Sequence, residues 1–223
     1  MSAKSVVVVG ATAPDIVKLI AAINRAGSDN LALEGFLDDD PSKLGTEFMG
    51  YPVLGTTAAL RDRFRDFWVA NNVARDMPTR QKLVRRLASL HVTKHLTLIH
   101  PSIDTSYSKI GEGSMLQEGV VLGPLCEIGD HCVLYARAII GHECIVEDVV
   151  FVGNNAIVGA RGRVGAGAFI GLNSVIIPYL TIGARSTVGA GSVVVRNVPP
   201  DQTVFGNPAR AGVQPAQSVA QMS

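Results

Sequence analysis

The sequence predicts two parts in series: a small Rossmann-like α/β domain over residues 1–98, then a parallel β-helix of about five coils over 99–213. Three observations carry this. Residues 6–9 are four valines, followed by Gly10 and an apolar-periodic stretch over 14–26, the pattern of a buried parallel strand, a tight turn and a helix. From Ile110 to Val194 every sixth residue is Leu, Ile or Val, over 15 positions. Glycine directly follows ten of those 15.

In the first part, Pro14 suits the opening turn of the helix, where a missing N–H costs nothing. A second strand is expected over 31–37, ending in Asp38, Asp39 and Asp40. Residues 51–54 are short and apolar, 58–64 suit a brief helix, and 66–70 read as a strand. A helix over 78–90 carries Leu83 and Leu87 on one face, with Arg80, Lys82, Arg85 and Arg86 largely off it. Residues 97–99 make a last short strand. The first turn, Gly10-Ala11-Thr12-Ala13-Pro14, lacks the GxGxxG that lets backbone approach a pyrophosphate, which argues against an ordinary NAD site. Asp38 and Asp39 fall at the C-terminal end of a strand, where open α/β sheets hold ligands. They can accept hydrogen bonds from a base or ribose, or belong to a solvated loop closed by Pro41.

In the second part, a period of six fits neither an α-helix nor a heptad. It fits a β-helix in which each hexad is one short strand plus one corner, and three hexads close a triangular coil of 18 residues. The apolar residue points inward and stacks on its equivalent one coil away. Two residues earlier sits a mostly small side chain, such as Cys126, Cys132, Ala138 or Cys144, fitted to the tight corner. The following glycine is expected to relieve the backbone at the turn. Five coils at about 4.8 Å per rung make a prism roughly 24 Å tall. The pattern breaks at 197–200, and the polar stretch 214–223 is expected to fray.

Composition narrows the function classes. The net charge is +1, with no Lys/Arg run, so no nucleic-acid footprint is expected. No apolar run approaches the roughly 20 residues that span a bilayer, and the N-terminus reads as a strand, not as a signal helix. The three cysteines form no CxxC and no zinc spacing, so we expect no metal and a reduced, cytoplasmic protein. A rigid prism has no concave pocket, so a small-molecule site must form between prisms or against another domain. Three prisms side by side would give three equivalent clefts.

Two histidines lie in the prism. His131, beside Asp130, reads as a surface residue; His91 and His95 fall between the two parts and receive no role. His142 comes two residues after Ile140, at a corner facing outward, in Gly141-His142-Glu143-Cys144. An outward histidine beside a carboxylate can act as a general base, the carboxylate holding one tautomer. Residues 18 apart stack, so Ala160, Pro178 and Arg196 lie above His142. Backbone N–H groups at Gly159 and Ala160 stand about 4.8 Å along the prism, where one can stabilise an oxyanion. Arg196 can reach a phosphate of a long cofactor, or simply be a solvated residue of the end coil.

The hexads, the segment 141–144 and the exit Gly206-Asn207-Pro208-Ala209 resemble the left-handed β-helix (hexapeptide-repeat) acyltransferases. Gly35-Phe36-Leu37-Asp38-Asp39, Gly50-Tyr51-Pro52-Val53-Leu54-Gly55 and Ile99-His100-Pro101-Ser102 are similar to the sialic acid O-acetyltransferase-like branch, which includes N-acetyltransferases of nucleotide-linked 4-amino sugars. The resemblance covers residues 4–211. It implies a left-handed coil, a homotrimer, acetyl-CoA as co-substrate, and an α/β domain that holds a nucleotide-sugar, for which Gly10, Thr12, Asp38 and Asp39 are candidates. It further implies His142 as catalytic base with Glu143 beside it, and the Ala160 N–H facing the thioester oxygen. Pantetheine would lie in the groove between prisms, with Phe151, Pro178 and Arg196 as candidate contacts. Phe151 departs from the family, which often has a second histidine there. Acetylation at a sugar hydroxyl, as in sialic acid, and a non-catalytic sugar-nucleotide-binding scaffold are the alternative functions.

Overall fold

The computed structural model describes residues 3–73 and 77–212; the stretch 214–223 lies outside the described residues. The N-terminal sheet has five strands in the order β3-β4-β2-β1-β5: β1 (Lys4–Val9), β2 (Leu31–Leu37), β3 (Glu47–Phe48), β4 (Tyr51–Gly55) and β5 (Trp68–Asn71). All neighbours run parallel except β3 with β4. Helix α1 (Asp15–Ala26) begins one residue after Pro14, and Gly27, at φ 68°, ends it in the left-handed conformation that glycine adopts without penalty. The brief helix expected over 58–64 is a 3-10 turn, Thr57–Arg61. Helix α2 is Met77–Ser89.

The four valines of β1 alternate in direction, as strand residues must. Val6 and Val8 pack toward α1, while Val7 and Val9 pack with Leu60, Phe64, Leu83 and Leu87 on the other side of the sheet. One position on α2 differs from the sequence expectation. Arg80 is not off the buried face but wholly enclosed. Its guanidinium donates to the carbonyls of Val73 (2.6 Å) and His131 (2.6 and 3.2 Å), which is how a charge at that depth is tolerated. Burial pushes its pKa down to about 10.

The second part is a left-handed parallel β-helix. Fifteen two-residue strands, from Lys109–Ile110 to Val193–Val194, stack in parallel 18 residues apart on three faces. Ile140, for example, pairs with Leu122 below and Val158 above. Thirteen of the 15 periodic residues are buried; Ile110 and Leu122, in the lowest coil, are partly so. Leu98–Ile99, counted above with the α/β half, pairs with Met115–Leu116 and forms the lowest rung of one face.

The in-phase glycines do a different job from the one expected. Their φ is not positive; they are where successive coils touch. A Cβ on Gly141 would stand 2.5 Å from Ala160 N, and one on Gly159 2.5 Å from Pro178 N. The left-handed backbone falls two residues later in each hexad, at positions such as Leu125, His131, Glu143, Val149 and Arg161.

The outward strand positions make three columns, one per face. Met115, Val133, Phe151, Phe169 and Thr187 form the first, and α1 and its sheet cover its first four members. Lys109, Glu127, Ile145, Arg163 and Thr181 form the second, and Lys109 pairs with Glu127 at 2.7 Å. Val121, Ile139, Ile157, Val175 and Val193 form the third. Val121 and Ile139 are exposed and the other three half-buried. Among the described residues no helix is long and apolar enough to cross a membrane.

Candidate active site

His142 stands at the corner between the second and third faces, the corner opposite the face that the chain's own α/β domain covers. Its side chain is 48% exposed. Nδ1 lies 3.1 Å from Oε1 of Glu143. An ionised carboxylate only accepts, so Nδ1 carries the hydrogen of the neutral ring and Nε2 keeps its lone pair. Glu143 is held in turn from one coil above. Arg161 donates from Nε to Oε2 at 2.8 Å and from its second terminal nitrogen to Oε1 at 3.1 Å. These hydrogen bonds, with a smaller contribution from His142, hold Glu143 below the usual carboxylate range. Arg161 also donates to the Tyr179 hydroxyl at 3.2 Å, a further coil up.

The column above His142 is as expected: the strands leading to Ala160, Pro178 and Arg196 stack in register. The two backbone candidates separate. Gly159 N–H donates to Ile176 O at 2.8 Å in the ladder, so it is not available to an oxyanion. Ala160 N–H has no acceptor among the described residues. Amides at the same hexad position, one corner away around the prism, show what such a group does: Glu112 N–H donates to the Asp130 carboxylate, Asp130 N–H to Asp148, and Ala166 N–H to Glu147. These amides bind negative oxygen at a corner, and at Ala160 the place is open.

Pro178 and Arg196 are exposed, and Arg196 lines a shallow hollow at the prism end with Asn197, Gln202 and Arg210. Phe151 cannot be a cofactor contact. It is 2% exposed, stacked on Phe169 at 4.6 Å and packed against Tyr135, because its outward direction is into the α/β domain.

The second site is a cleft of about 330 Å³ at the carboxyl ends of β1 and β2. Gly10, Thr12, Asp38 and Asp39 all line it, with Thr57, Lys43, Lys82 and Arg86. Gly10, at φ 97°, makes the turn, and a Cβ added there would press on Val73 Cγ2 at 3.0 Å. Asp38 accepts from the Ala11 N–H and from Lys43, both at 2.9 Å. Burial works against its charge, but these bonds and one from Asp40 N–H hold its pKa below the ordinary value. Asp39 accepts from Thr57 N–H (2.8 Å) and its hydroxyl (2.9 Å). Arg86 donates to the same hydroxyl at 2.6 Å. Three cations beside a glycine turn suit a phosphate-bearing ligand.

Sequence reasoning missed Arg161, Tyr179, Lys43, Lys82 and Arg86. Stepping by 18 from Glu143, as from His142, would have found the first two. Lys82 and Arg86 are four residues apart on α2 and Lys43 follows β2, so only the fold brings these two segments to one cleft.

His131 is not a surface residue. It is partly buried, edge-on to His95 at 4.7 Å, with its carbonyl taken by Arg80. Burial, then His95 and Arg80, push its pKa down to about 4. The three cysteines are free and buried; burial pushes Cys132 up to about 12. Among the described residues no three His, Cys, Asp or Glu side chains converge as metal ligands.

A left-handed prism of hexads bearing an outward His–Glu pair, with an α/β domain on one face, defines a hexapeptide-repeat acyltransferase. Residues 163–196 match the family model described as hexapeptide repeat of succinyl-transferase. The chain is 30% identical to PerB from Caulobacter crescentus, solved with CoA and GDP-perosamine; the match covers 94% of this chain and 97% of that one, with a TM-score of 0.81. A mutant of perosamine N-acetyltransferase from the same bacterium, with asparagine in place of a histidine and the same two compounds, is 29% identical over 94% and 97% of the chains, TM-score 0.82. The acetyltransferase domain of PglB from Neisseria gonorrhoeae FA1090 is 26% identical over 93% and 99%, TM-score 0.81. A search of curated protein sequences gives no match. The chain belongs to the nucleotide-amino-sugar N-acetyltransferase branch of the left-handed β-helix acyltransferases.

Proposed function

We propose that this protein transfers the acetyl group of acetyl-CoA to the amine of a nucleotide-linked amino sugar, with His142 as general base. The observation that carries the reading is the pairing of an outward His142, its Nδ1 committed to Glu143, with the open Ala160 N–H one rung above. It stands in a chain that matches, over more than nine-tenths of its length, an enzyme solved with CoA and GDP-perosamine.

The sugar amine attacks the thioester carbonyl carbon, and a C–N bond forms. His142 Nε2 takes the proton that the nitrogen gives up. Ala160 N–H meets the oxyanion as it develops. The C–S bond then breaks, and the imidazolium returns its proton to the departing thiolate. No covalent enzyme intermediate is needed, and the buried cysteines take no part. Holding two substrates in line contributes much of the acceleration.

The cleft at Gly10, Thr12, Asp38 and Asp39 is the nucleotide subsite of this reading, with Lys43, Lys82 and Arg86 for its phosphates. Pro178 and Arg196 are the cofactor contacts that remain once Phe151 is withdrawn. The assembly is a homotrimer. Its support is the third face, a column of five β-branched residues left open by the chain's own domain. Packing a second prism there brings a neighbour to the His142 corner, which faces away from its own nucleotide cleft. Acetyl-CoA as donor and three reduced cysteines favour the cytoplasm.

Release of CoA from acetyl-CoA, followed with GDP-perosamine and with UDP- and dTDP-linked 4-amino sugars as acceptors, tests the reading. Turnover with an amino sugar and none with sialic acid is expected. Binding of every acceptor with no CoA release would make the protein a scaffold instead, and sedimentation as a monomer with full turnover would remove the trimer.

A further inference from the structure

We infer that Arg161 is a positioning residue of the transfer, one that lets Glu143 orient His142 without holding it protonated. The inference rests on the reading of His142 as base. A carboxylate beside an imidazole does two opposed things. It fixes the tautomer by accepting from Nδ1–H, and by its charge it favours the imidazolium, which cannot accept a proton. A base that must be neutral therefore profits from a carboxylate whose charge is shared elsewhere.

Arg161 supplies that sharing with a fork that reaches both oxygens of Glu143, at 2.8 and 3.1 Å. Oε1 remains within 3.1 Å of His142 Nδ1. The fork is anchored at both ends. Arg161 N–H donates to the carbonyl of His142 at 2.9 Å, so the two corners are tied through their backbones. Tyr179 accepts from the guanidinium at 3.2 Å, and its ring lies 5.7 Å from the guanidinium carbon. Arg161 thus grips the His142–Glu143 pair from one coil above by side chain and main chain together. Of the other charged groups near this corner, Arg196 stands three rungs above His142 and Glu127 on the adjoining face is engaged by Lys109. Pro124 and Leu125 below are uncharged, and Arg163 on the adjoining face is engaged by Glu147.

The test compares wild type with Arg161→Gln and Arg161→Lys. Steady-state rates are measured across pH with acetyl-CoA and the acceptor the wild type turns over, and His142 is titrated by ¹⁵N NMR in histidine-labelled full-length protein. Arg161→Gln should lower kcat at neutral pH roughly tenfold with KM values within about twofold. Its acid limb should move to higher pH, so that the loss shrinks as pH rises. The ¹⁵N titration should move the same way. Arg161→Lys, which keeps the charge and loses the fork, should fall between. In a Glu143→Gln background, adding Arg161→Gln should cost little more, because its target is gone. An unmoved pH profile and an unmoved His142 titration would overturn the inference. So would a raised KM for acetyl-CoA with kcat intact, which would make Arg161 a cofactor contact. The NMR titration needs no substrate, so a wild type that turns over no acceptor defeats the functional reading alone, while the titration still decides for or against Arg161.

Discussion

His131 and His142 occupy neighbouring corners of the same repeat and have opposite fates. His142 lies at the corner opposite the covered face, is 48% exposed, and meets a carboxylate. His131 lies at a corner bordering the covered face, meets His95 edge-on, and has a buried Nδ1 with no partner among the described residues. One is presented as a proton acceptor. The other is kept neutral to about pH 4, with its carbonyl serving as an anchor for Arg80. In a solenoid, then, the chemistry of a residue is decided by which corner it occupies and what covers the adjoining face, more than by its immediate neighbours in sequence. Both histidines follow or precede an acidic residue.

This contrast can be broken experimentally. The largest effect is expected at the open corner. His142→Ala should lower turnover by roughly a hundredfold or more, while thermal unfolding of the prism is unchanged. Full activity across the pH range in that variant would remove the base. At the closed corner the effect moves from rate to stability. Arg80→Met leaves the carbonyls of Val73 and His131 without their donor in a dry interface, at a cost on the order of 2 kcal/mol. A lowered unfolding midpoint in denaturant checks it; an unchanged midpoint would mean the two carbonyls find other donors.

The smallest and most selective effect is the pH dependence of the closed corner. His131 has a folded pKa of about 4 against an ordinary 6.5. Above 6.5 both states are neutral and it contributes no slope. As pH falls from 6.5 to about 4, the unfolded chain takes up a proton that the folded chain refuses, and stability declines. Below about 4 the slope ends. His131→Asn, which tolerates the left-handed backbone there (φ 55°), should flatten that window in a stability-against-pH series without altering turnover. The groups facing His131 are His95, Arg80, Asp130 and Asp148. A slope that survives the substitution at full size would mean that groups other than His131 carry it.

Much of the prism is legible because a period of six fits three short strands to a coil and fits neither an α-helix nor a heptad; its hand comes from the resemblance. The inward stack, the small corner residues and the column above His142 all follow from counting. Even the Glu143–Arg161–Tyr179 ladder is two steps of 18, and was missed only because the count started from His142. Arg80 is illegible for a different reason. Charge assigned it to solvent, and the two carbonyls that accept from it belong to a loop and to a corner 51 residues away. The glycines are half legible: the period locates them, but the contact they permit is with the coil 18 residues on.

By itself, then, the sequence determined the coil, its register, its inward core and the outward aim of His142, because each depends on spacing along one chain. It also marks two apolar outward columns, one beginning at Met115 and the other at Val121. Which of them the α/β domain would cover was decided only by the tertiary structure. The docking depends on how α1 and its sheet fit against Phe151 and Phe169, a matter of shape between distant segments that no periodicity records. That one choice buries His131, spends Phe151 on packing, and leaves the third face and the His142 corner open.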